Sequence, residues 1–157
     1  MKVIVISGTQ GTGKSTLAKK LSKELGLERL DLSNYYKEIS SGYNKEKQGY
    51  DIEIKKFVAL VKDKNKKGLI IDSHISHLLP KRMVDLCVVL VCPDLKKLER
   101  RLKKRKYSKK KIRENLDAEI FQVCLIEAKE KGHKVIVFDS SKDVKSLVRK
   151  VKKLLKS

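Results

Sequence analysis

The sequence predicts a single α/β domain built on a doubly wound sheet of five parallel strands. Short β-branched runs alternate with longer amphipathic stretches along the 157 residues. Most of the short runs are continuously apolar, which is typical of strands covered on both faces. Strands that alternate with helices favour a parallel sheet, and a chain of this length can bury a substantial hydrophobic core. The length and the absence of repeats or low-complexity linkers favour one domain spanning residues 1–157.

Five runs are the predicted strands. All except the second are apolar throughout, and the second mixes charged and apolar residues. The predicted strands are residues 2–6, 27–32, 68–72, 85–92 and 133–138.

Three stretches carry apolar residues at helical spacing. Residues 14–25 place leucines four apart, and Gly26 follows as a stop signal. Residues 51–64 and 143–156 repeat this pattern. We therefore expect a helix over each of these three ranges.

A glycine-rich loop follows the first predicted strand. Residues 8–15, GTQGTGKS, match the pattern G-x-x-x-x-G-K-[ST]. Glycines let backbone N–H groups curl round an anion, and the helix that starts there adds its positive dipole end. In such loops, the residue at Lys14 reaches the β- and γ-phosphates, and the hydroxyl at Ser15 ligates Mg²⁺. The alternative is a chance glycine-rich turn. The loop predicts ATP and Mg²⁺ as ligands, but it does not identify the reaction.

A second candidate element is GLIIDSH, an apolar run that ends at Asp72. A carboxylate at this place holds Mg²⁺ directly or through water in Walker B elements. If the backbone stays extended, His74 points to the same side and could orient a water, a hydroxyl or a phosphate. The alternatives are an ordinary strand-end aspartate and a packing histidine. His77 and His133 are expected to be structural.

With the loop, GLIIDSH and YSKKKIRENLDAEIFQVCLIEA (107–128) in place, the chain resembles the adenylate kinase isoenzyme 6 family. The resemblance implies a doubly wound phosphate-loop core with a monophosphate-binding segment at about residues 30–51. It implies a short lid at about residues 103–113. It further implies adenylate kinase and ATPase activities and a role in late maturation of the small ribosomal subunit, through a small-subunit protein.

The same resemblance assigns roles to residues. Asp72 and His74 become the Walker B pair, and Arg105 at the start of the lid would contact ATP phosphates. Lys37 stands where adenylate kinases usually have arginine. The acceptor would therefore contact the compact charge of an ammonium group, and not a planar guanidinium that can form two parallel hydrogen bonds. The loop residues assigned to ATP are Gly11, Thr12, Gly13, Lys14, Ser15 and Thr16.

The charge of the chain is one-sided. Lys and Arg number 39 against 19 Asp and Glu, a formal net charge of +20. Such self-repulsion favours a polyanionic partner, whereas thermal adaptation usually adds charges of both signs. Residues 96–113 hold twelve Lys or Arg among eighteen. Three interpretations of this basic run remain open. It is a solvated helix face, a lid that attracts the triphosphate, or a surface that contacts mainly the sugar-phosphate backbone of RNA.

No signal peptide or membrane span is evident in the sequence, so we expect a soluble, intracellular, cytoplasmic protein without a membrane partner. The first functional hypothesis is a kinase that moves the γ-phosphate of MgATP to AMP or a related monophosphate. The second is an ATP-driven assembly factor that acts on a small-subunit ribosomal protein or rRNA. The third is another small-molecule kinase on the same fold. The sequence does not indicate an oligomeric state.

Overall fold

A computed structural model describes residues 2–156 of the chain. Seven strands and six α-helices follow one another within that range, with short 3₁₀ helices at residues 32–35, 76–78 and 81–83. The elements are β1 (Val3–Ser7), α1 (Lys14–Leu25), β2 (Glu28–Asp31), β3 (Ser40–Asn44), β4 (Gly49–Ile52), α2 (Ile54–Lys64), β5 (Leu69–Asp72), β6 (Leu86–Val91), α3 (Leu95–Lys104), α4 (Lys109–Ile120), α5 (Val123–Glu130), β7 (Val135–Asp139) and α6 (Val144–Lys156).

The main sheet has five parallel strands in the order β2-β5-β1-β6-β7, which confirms the predicted fold class. The central strand β1 lies between β5 and β6, so the strand order reverses there. The loop that follows β1 therefore opens at the point where ligands bind in open α/β sheets. In the register of this sheet, Asp72 lies opposite Ile6 of β1 and opposite Asp31 of β2.

Two hydrophobic layers cover the sheet, one on each face. Val3 and Val5 of β1 pack into the layer that contains Phe57 of α2. Ile4 and Ile6 point the other way, into the layer built from α1 and α6. Alternate residues of one strand are thus buried on opposite faces, which is why the strand is apolar at every position.

A two-stranded antiparallel ribbon, β3–β4, projects from this core. Its residues are mostly exposed or half-buried, so they lack the hydrophobic pattern from which strands are predicted. The helix predicted from residue 51 begins only at Ile54, because Asp51 and Ile52 belong to β4. This part of the helix prediction was wrong at its N-terminal end.

The basic run forms two helices and a tight turn. The predicted lid at residues 103–113 comprises the end of α3, a turn at 105–108 and the beginning of α4. Leu98 and Leu102 of α3 pack with Leu116 of α4 and with Cys92, so the two helices share a small core of their own. Among the described residues, no helix combines the length and the apolar character needed to span a membrane.

Two histidines that the sequence analysis left structural are buried. The His77 ring lies between the Ser7 hydroxyl and the Glu127 carboxylate, with Nδ1 toward the first and Nε2 toward the second. Nε2 of His133 pairs with the backbone carbonyl of His77 at 2.7 Å. This network joins the end of β1 to α5, immediately before the glycine-rich loop.

Candidate active site

A cleft of about 590 Å³ opens at the carboxyl ends of β1, β2 and β5. One wall is formed by the glycine-rich loop, the start of α1 and the end of β5. The other is formed by the β3–β4 ribbon and the α3–α4 turn. Seven of the predicted site residues line it: Gly13, Lys14, Ser15, Thr16, Asp72, His74 and Arg105. The residues outside the lining are Gly11, Thr12 and Lys37.

The loop depends on its first glycine. Gly8 adopts a φ of +144°, and a Cβ there would lie 2.4 Å from the carbonyl oxygen of Leu90. Any side chain at this position would therefore displace the loop from β6. Thr12 is fully buried, and its hydroxyl donates to the carbonyl of Thr9 at 2.8 Å. The Thr12 side chain thus holds the turn in this structure, and Thr12 is not among the residues that line the cleft.

Lys14 folds back over its own loop. Its Nζ donates to the carbonyl oxygens of Gly8 and Thr9, both at 2.9 Å. Burial lowers the pKa of Lys14 to about 8, and the positive charge of Arg105 acts in the same direction. The loop carbonyls therefore hold the ammonium group at the cleft, and an incoming phosphate would replace them as its partner.

Asp72 carries an ion pair that the sequence did not predict. Nε and Nη2 of Arg29 donate to its two carboxylate oxygens, each at 2.8 Å. The Asp72 side chain is 3% exposed and the Arg29 side chain 18%. Burial raises the pKa of Asp72, and the hydrogen bonds and charge of Arg29 oppose that rise. The one available signal was a set of charged residues in a predicted strand, ERLD, which forms the edge of the sheet next to β5.

His74 lines the cleft, but the backbone that places it there is not an extended strand. The chain leaves strand geometry after Asp72, where Ser73 N–H donates to Ile6 at 3.1 Å and a turn leads into a 3₁₀ helix. The condition on which the predicted placement of His74 depended, an extended backbone after Asp72, is therefore not met. The His74 ring packs edge-on against Tyr36, with Nδ1 3.3 Å from its hydroxyl. Burial, together with the charge of Lys14, lowers the pKa of His74 to about 3, so the ring is neutral at pH 7.

The far wall of the cleft is held by contacts between the ribbon and the α3–α4 turn. Gln48 at the tip of the ribbon accepts from the Ser108 hydroxyl through its side chain and from Lys111 Nζ through its backbone, both at 3.0 Å. The Tyr107 hydroxyl donates to Gln10 of the glycine-rich loop at 2.6 Å. Arg105 lies at the edge, its Nη1 3.5 Å from the Tyr107 hydroxyl. The two walls therefore meet over the cleft.

Two further residues brace the glycine-rich loop. Glu119 of α4 is buried and accepts from the Thr9 hydroxyl at 3.1 Å and from the backbone N–H of Cys92 at 2.6 Å. Nη1 of Arg101 donates to the carbonyl of Gly11 at 3.1 Å. The sequence placed Glu119 in a family motif but did not predict its contacts, because its partners Thr9 and Cys92 lie 110 and 27 residues away.

The lining fits a magnesium nucleotide. Over residues 2–156, no group of three or more His, Cys, Asp and Glu side chains could form a closed metal cage. Mg²⁺ in nucleotide sites needs only one or two protein ligands, because phosphates and waters supply the others. The exposed Ser15 and the Asp72 carboxylate line the same cleft and can supply these.

Three comparisons relate the chain to known proteins. A family model described as an AAA domain matches residues 4–122. A provisionally named adenylate kinase of Pyrococcus furiosus is 36% identical over 157 residues, covering 99% of this chain and 84% of that protein. The adenylate kinase isoenzyme 6 homologue of Schizosaccharomyces pombe is 40% identical over 139 residues, covering 87% and 79%. Shikimate kinase from Bacteroides thetaiotaomicron shares the fold, with a TM-score of 0.58 at 18% identity and 99% coverage of both chains.

Proposed function

The chain belongs to the AAA-domain family and to the adenylate kinase isoenzyme 6 proteins, and from this premise we propose that it is a nucleoside monophosphate kinase. It transfers the γ-phosphoryl group of ATP to AMP or a related acceptor. One observation carries the proposal. One cleft of about 590 Å³ is lined both by the glycine-rich loop with Asp72 and by the β3–β4 ribbon with the α3–α4 turn, so two separately built parts of the chain border the same space.

The residues of the loop wall hold the phosphates. Lys14 exchanges the carbonyls of Gly8 and Thr9 for phosphate oxygens and neutralises their charge. Ser15 and Asp72 are the residues that would hold Mg²⁺, which when bound neutralises the charge of neighbouring phosphate oxygens. Arg29 keeps the Asp72 carboxylate oriented toward that edge of the sheet.

The other wall completes the site. Arg105 at the cleft edge adds a guanidinium that can contact phosphate oxygens in bidentate geometry. His74, neutral at pH 7, orients a hydroxyl or phosphate oxygen by hydrogen bonding and does not act as a cation. Contacts of Gln48 with Ser108 and Lys111 cover the cleft and exclude water, which would otherwise accept the phosphoryl group.

A second activity is favoured by the charge distribution. The net charge of +20 and the basic run at residues 96–113 exceed what one nucleotide requires, and Lys37 lies outside the cleft lining. We therefore also propose that the protein hydrolyses ATP in the cytoplasm during maturation of the small ribosomal subunit. Its partner would be a small-subunit protein, rRNA or both.

Steady-state ATP turnover tests both proposals. It is measured alone, with AMP, and with small-subunit protein or RNA. A kinase converts AMP stoichiometrically to ADP far faster than it hydrolyses ATP. If AMP has no effect and the ribosomal partner accelerates hydrolysis, the kinase proposal fails.

Variants of the cleft residues serve as controls for this assay. Lys14→Ala is expected to lower turnover by a factor of about 10² or more, because it removes the main charge on the phosphates. His74→Ala is expected to lower turnover and spare ATP binding. If ATP turnover survives Lys14→Ala, the assignment of the loop to phosphate binding is wrong. If turnover is unchanged in His74→Ala, His74 is a packing residue and has no part in the reaction.

A further inference from the structure

A chain of three hydrogen-bonded side chains runs from the surface of α5 to the start of the glycine-rich loop, and none of the three lines the cleft. Nδ1 of His77 faces the Ser7 hydroxyl, and Nε2 lies 2.8 Å from Oε1 of Glu127. Ser7 and His77 are 0% and 1% exposed, whereas the Glu127 side chain is 45% exposed. Both ring nitrogens of this buried histidine thus have side-chain partners, which fixes the orientation of the ring.

The direction of the two hydrogen bonds follows from the protonation of His77. Burial lowers the pKa of His77, although the hydrogen bond and charge of Glu127 oppose this, so the ring is neutral at pH 7. The neighbouring His133 and Lys131 add to the lowering of this pKa. A carboxylate only accepts, so the single ring hydrogen lies on Nε2 and Nδ1 is an acceptor. Ser7 therefore donates to His77, and His77 donates to Glu127.

Two more hydrogen bonds hold the turn that carries His77. The Ser76 hydroxyl donates to the carbonyl of Ile6 at 2.7 Å, and Nε2 of His133 donates to the carbonyl of His77 at 2.7 Å. Consecutive residues of the turn, Ser76 and His77, thus bind consecutive residues of β1, Ile6 and Ser7. The turn is therefore fixed to the end of β1 at two adjacent points.

The segments joined in this way are two parts of the same wall of the cleft. Ser7 is followed directly by Gly8, whose carbonyl oxygen accepts from Nζ of Lys14 at 2.9 Å. The turn that carries His77 follows Asp72, which lines the cleft. A displacement of His77 would therefore move the glycine-rich loop relative to Asp72. Misplacement by about 1 Å is enough to lower the rate of a reaction that depends on positioning.

We propose that His77 is a positioning residue for ATP, which rests on the proposed kinase function. Through Ser7 it holds the glycine-rich loop and the turn after Asp72 in the relative position that receives the phosphates of MgATP. Glu127 acts through His77, because its carboxylate keeps the ring hydrogen on Nε2. Without that acceptor the hydrogen can move to Nδ1, which then no longer accepts from Ser7.

Substitutions of the half-exposed Glu127 test this without changing a buried residue. Calorimetry measures the affinity for MgATP, and heteronuclear NMR of the ring nitrogens measures the tautomer of His77. In wild type the hydrogen is expected on Nε2. Glu127→Leu is expected to lose this single tautomer and to weaken ATP binding about 10-fold. Glu127→Gln should keep both, because its amide oxygen accepts from Nε2. Glu130→Leu, at an exposed acid on the same helix, is the matched control.

A double-variant cycle links Glu127 to Ser7. Ser7→Ala removes the donor to His77, so Ser7→Ala/Glu127→Leu is expected to bind ATP no more weakly than Ser7→Ala alone. The proposal is overturned by a hydrogen on Nδ1 in wild type, by equal ATP affinity of Glu127→Leu and Glu130→Leu, or by fully additive losses in the double variant. If ATP binding depends on Glu127 as expected but wild type does not phosphorylate AMP, the kinase function is refuted and the positioning of ATP by His77 stands.

Discussion

Lys14 has a pKa of about 8 in the protein, lowered from the ordinary 10.5 by burial. At pH 7 it is protonated and ready for a phosphate. As the pH rises through 8, Lys14 of the ligand-free protein loses this proton. Phosphate binding must then be accompanied by reprotonation of Lys14. ATP affinity is therefore expected to fall by up to about fivefold between pH 8 and pH 9.

Calorimetry at both pH values, in buffers with different ionisation enthalpies, measures the affinity and the proton uptake together. Lys14→Met is the control, and it should bind ATP weakly with little dependence on pH in this range. Wild-type binding that is independent of pH would mean that Lys14 does not contact the phosphates.

Arg29 provides a second test at the level of single residues. Arg29→Met leaves the buried Asp72 carboxylate without its bidentate partner. The free energy of unfolding at pH 7 is expected to fall by about 3 kcal/mol, and Arg29→Met/Asp72→Asn should recover most of the loss. Urea unfolding measures both. If Arg29→Met alone is as stable as wild type, the Arg29–Asp72 pair does not contribute to stability.

Helix α4 ties the glycine-rich loop to β6 through one carboxylate. Glu119→Ala is expected to lower the free energy of unfolding by about 1–3 kcal/mol, because the buried N–H of Cys92 loses its acceptor. It should also weaken ATP binding through the freed Thr9. Glu119→Gln should behave like wild type, since an amide oxygen can accept from Cys92 and the amide nitrogen can donate to Thr9.

Denaturant unfolding and ATP titration measure the two effects of Glu119. Glu114→Ala, an exposed acid on the same helix, is the matched control. If Glu119→Ala unfolds and binds ATP as Glu114→Ala does, the carboxylate does not support the loop.

Two of the regions that sequence analysis missed have little buried apolar surface. The β3–β4 ribbon has no face buried in the core, and residues 96–113 are so rich in Lys and Arg that a helical apolar stripe is short. Pattern-based prediction detects burial, so elements held mainly by polar contacts such as Gln48 with Ser108 are missed. The five strands of the main sheet and helices α1, α2 and α6 were predicted because their apolar residues are buried along a continuous stretch. Helix α5, whose Ala128 is buried in the core, was not predicted.

At the scale of the whole molecule, the net charge of +20 should make RNA binding strongly salt-dependent. If the basic run carries the contacts, reversing Lys104, Lys109 and Lys110 to Glu lowers the slope of log affinity against log salt by about 0.9 per lost phosphate contact. Reversing Lys150, Lys152 and Lys153 of α6 changes the net charge equally and serves as the control. Salt titration of a small-subunit RNA fragment measures both, and equal effects would assign binding to overall charge.

The sequence by itself determined the alternation of strands and helices, the phosphate loop and the acid at the end of β5, because each depends on residues adjacent in the chain. Only the tertiary structure decided the strand order, the Arg29–Asp72 pair, the bracing by Glu119 and the position of the β3–β4 ribbon at the cleft. Arg29 and Asp72 are 43 residues apart and meet because β2 and β5 are neighbours. Ion pairing, burial and pKa depend on such distant neighbours, which local propensity and spacing do not encode.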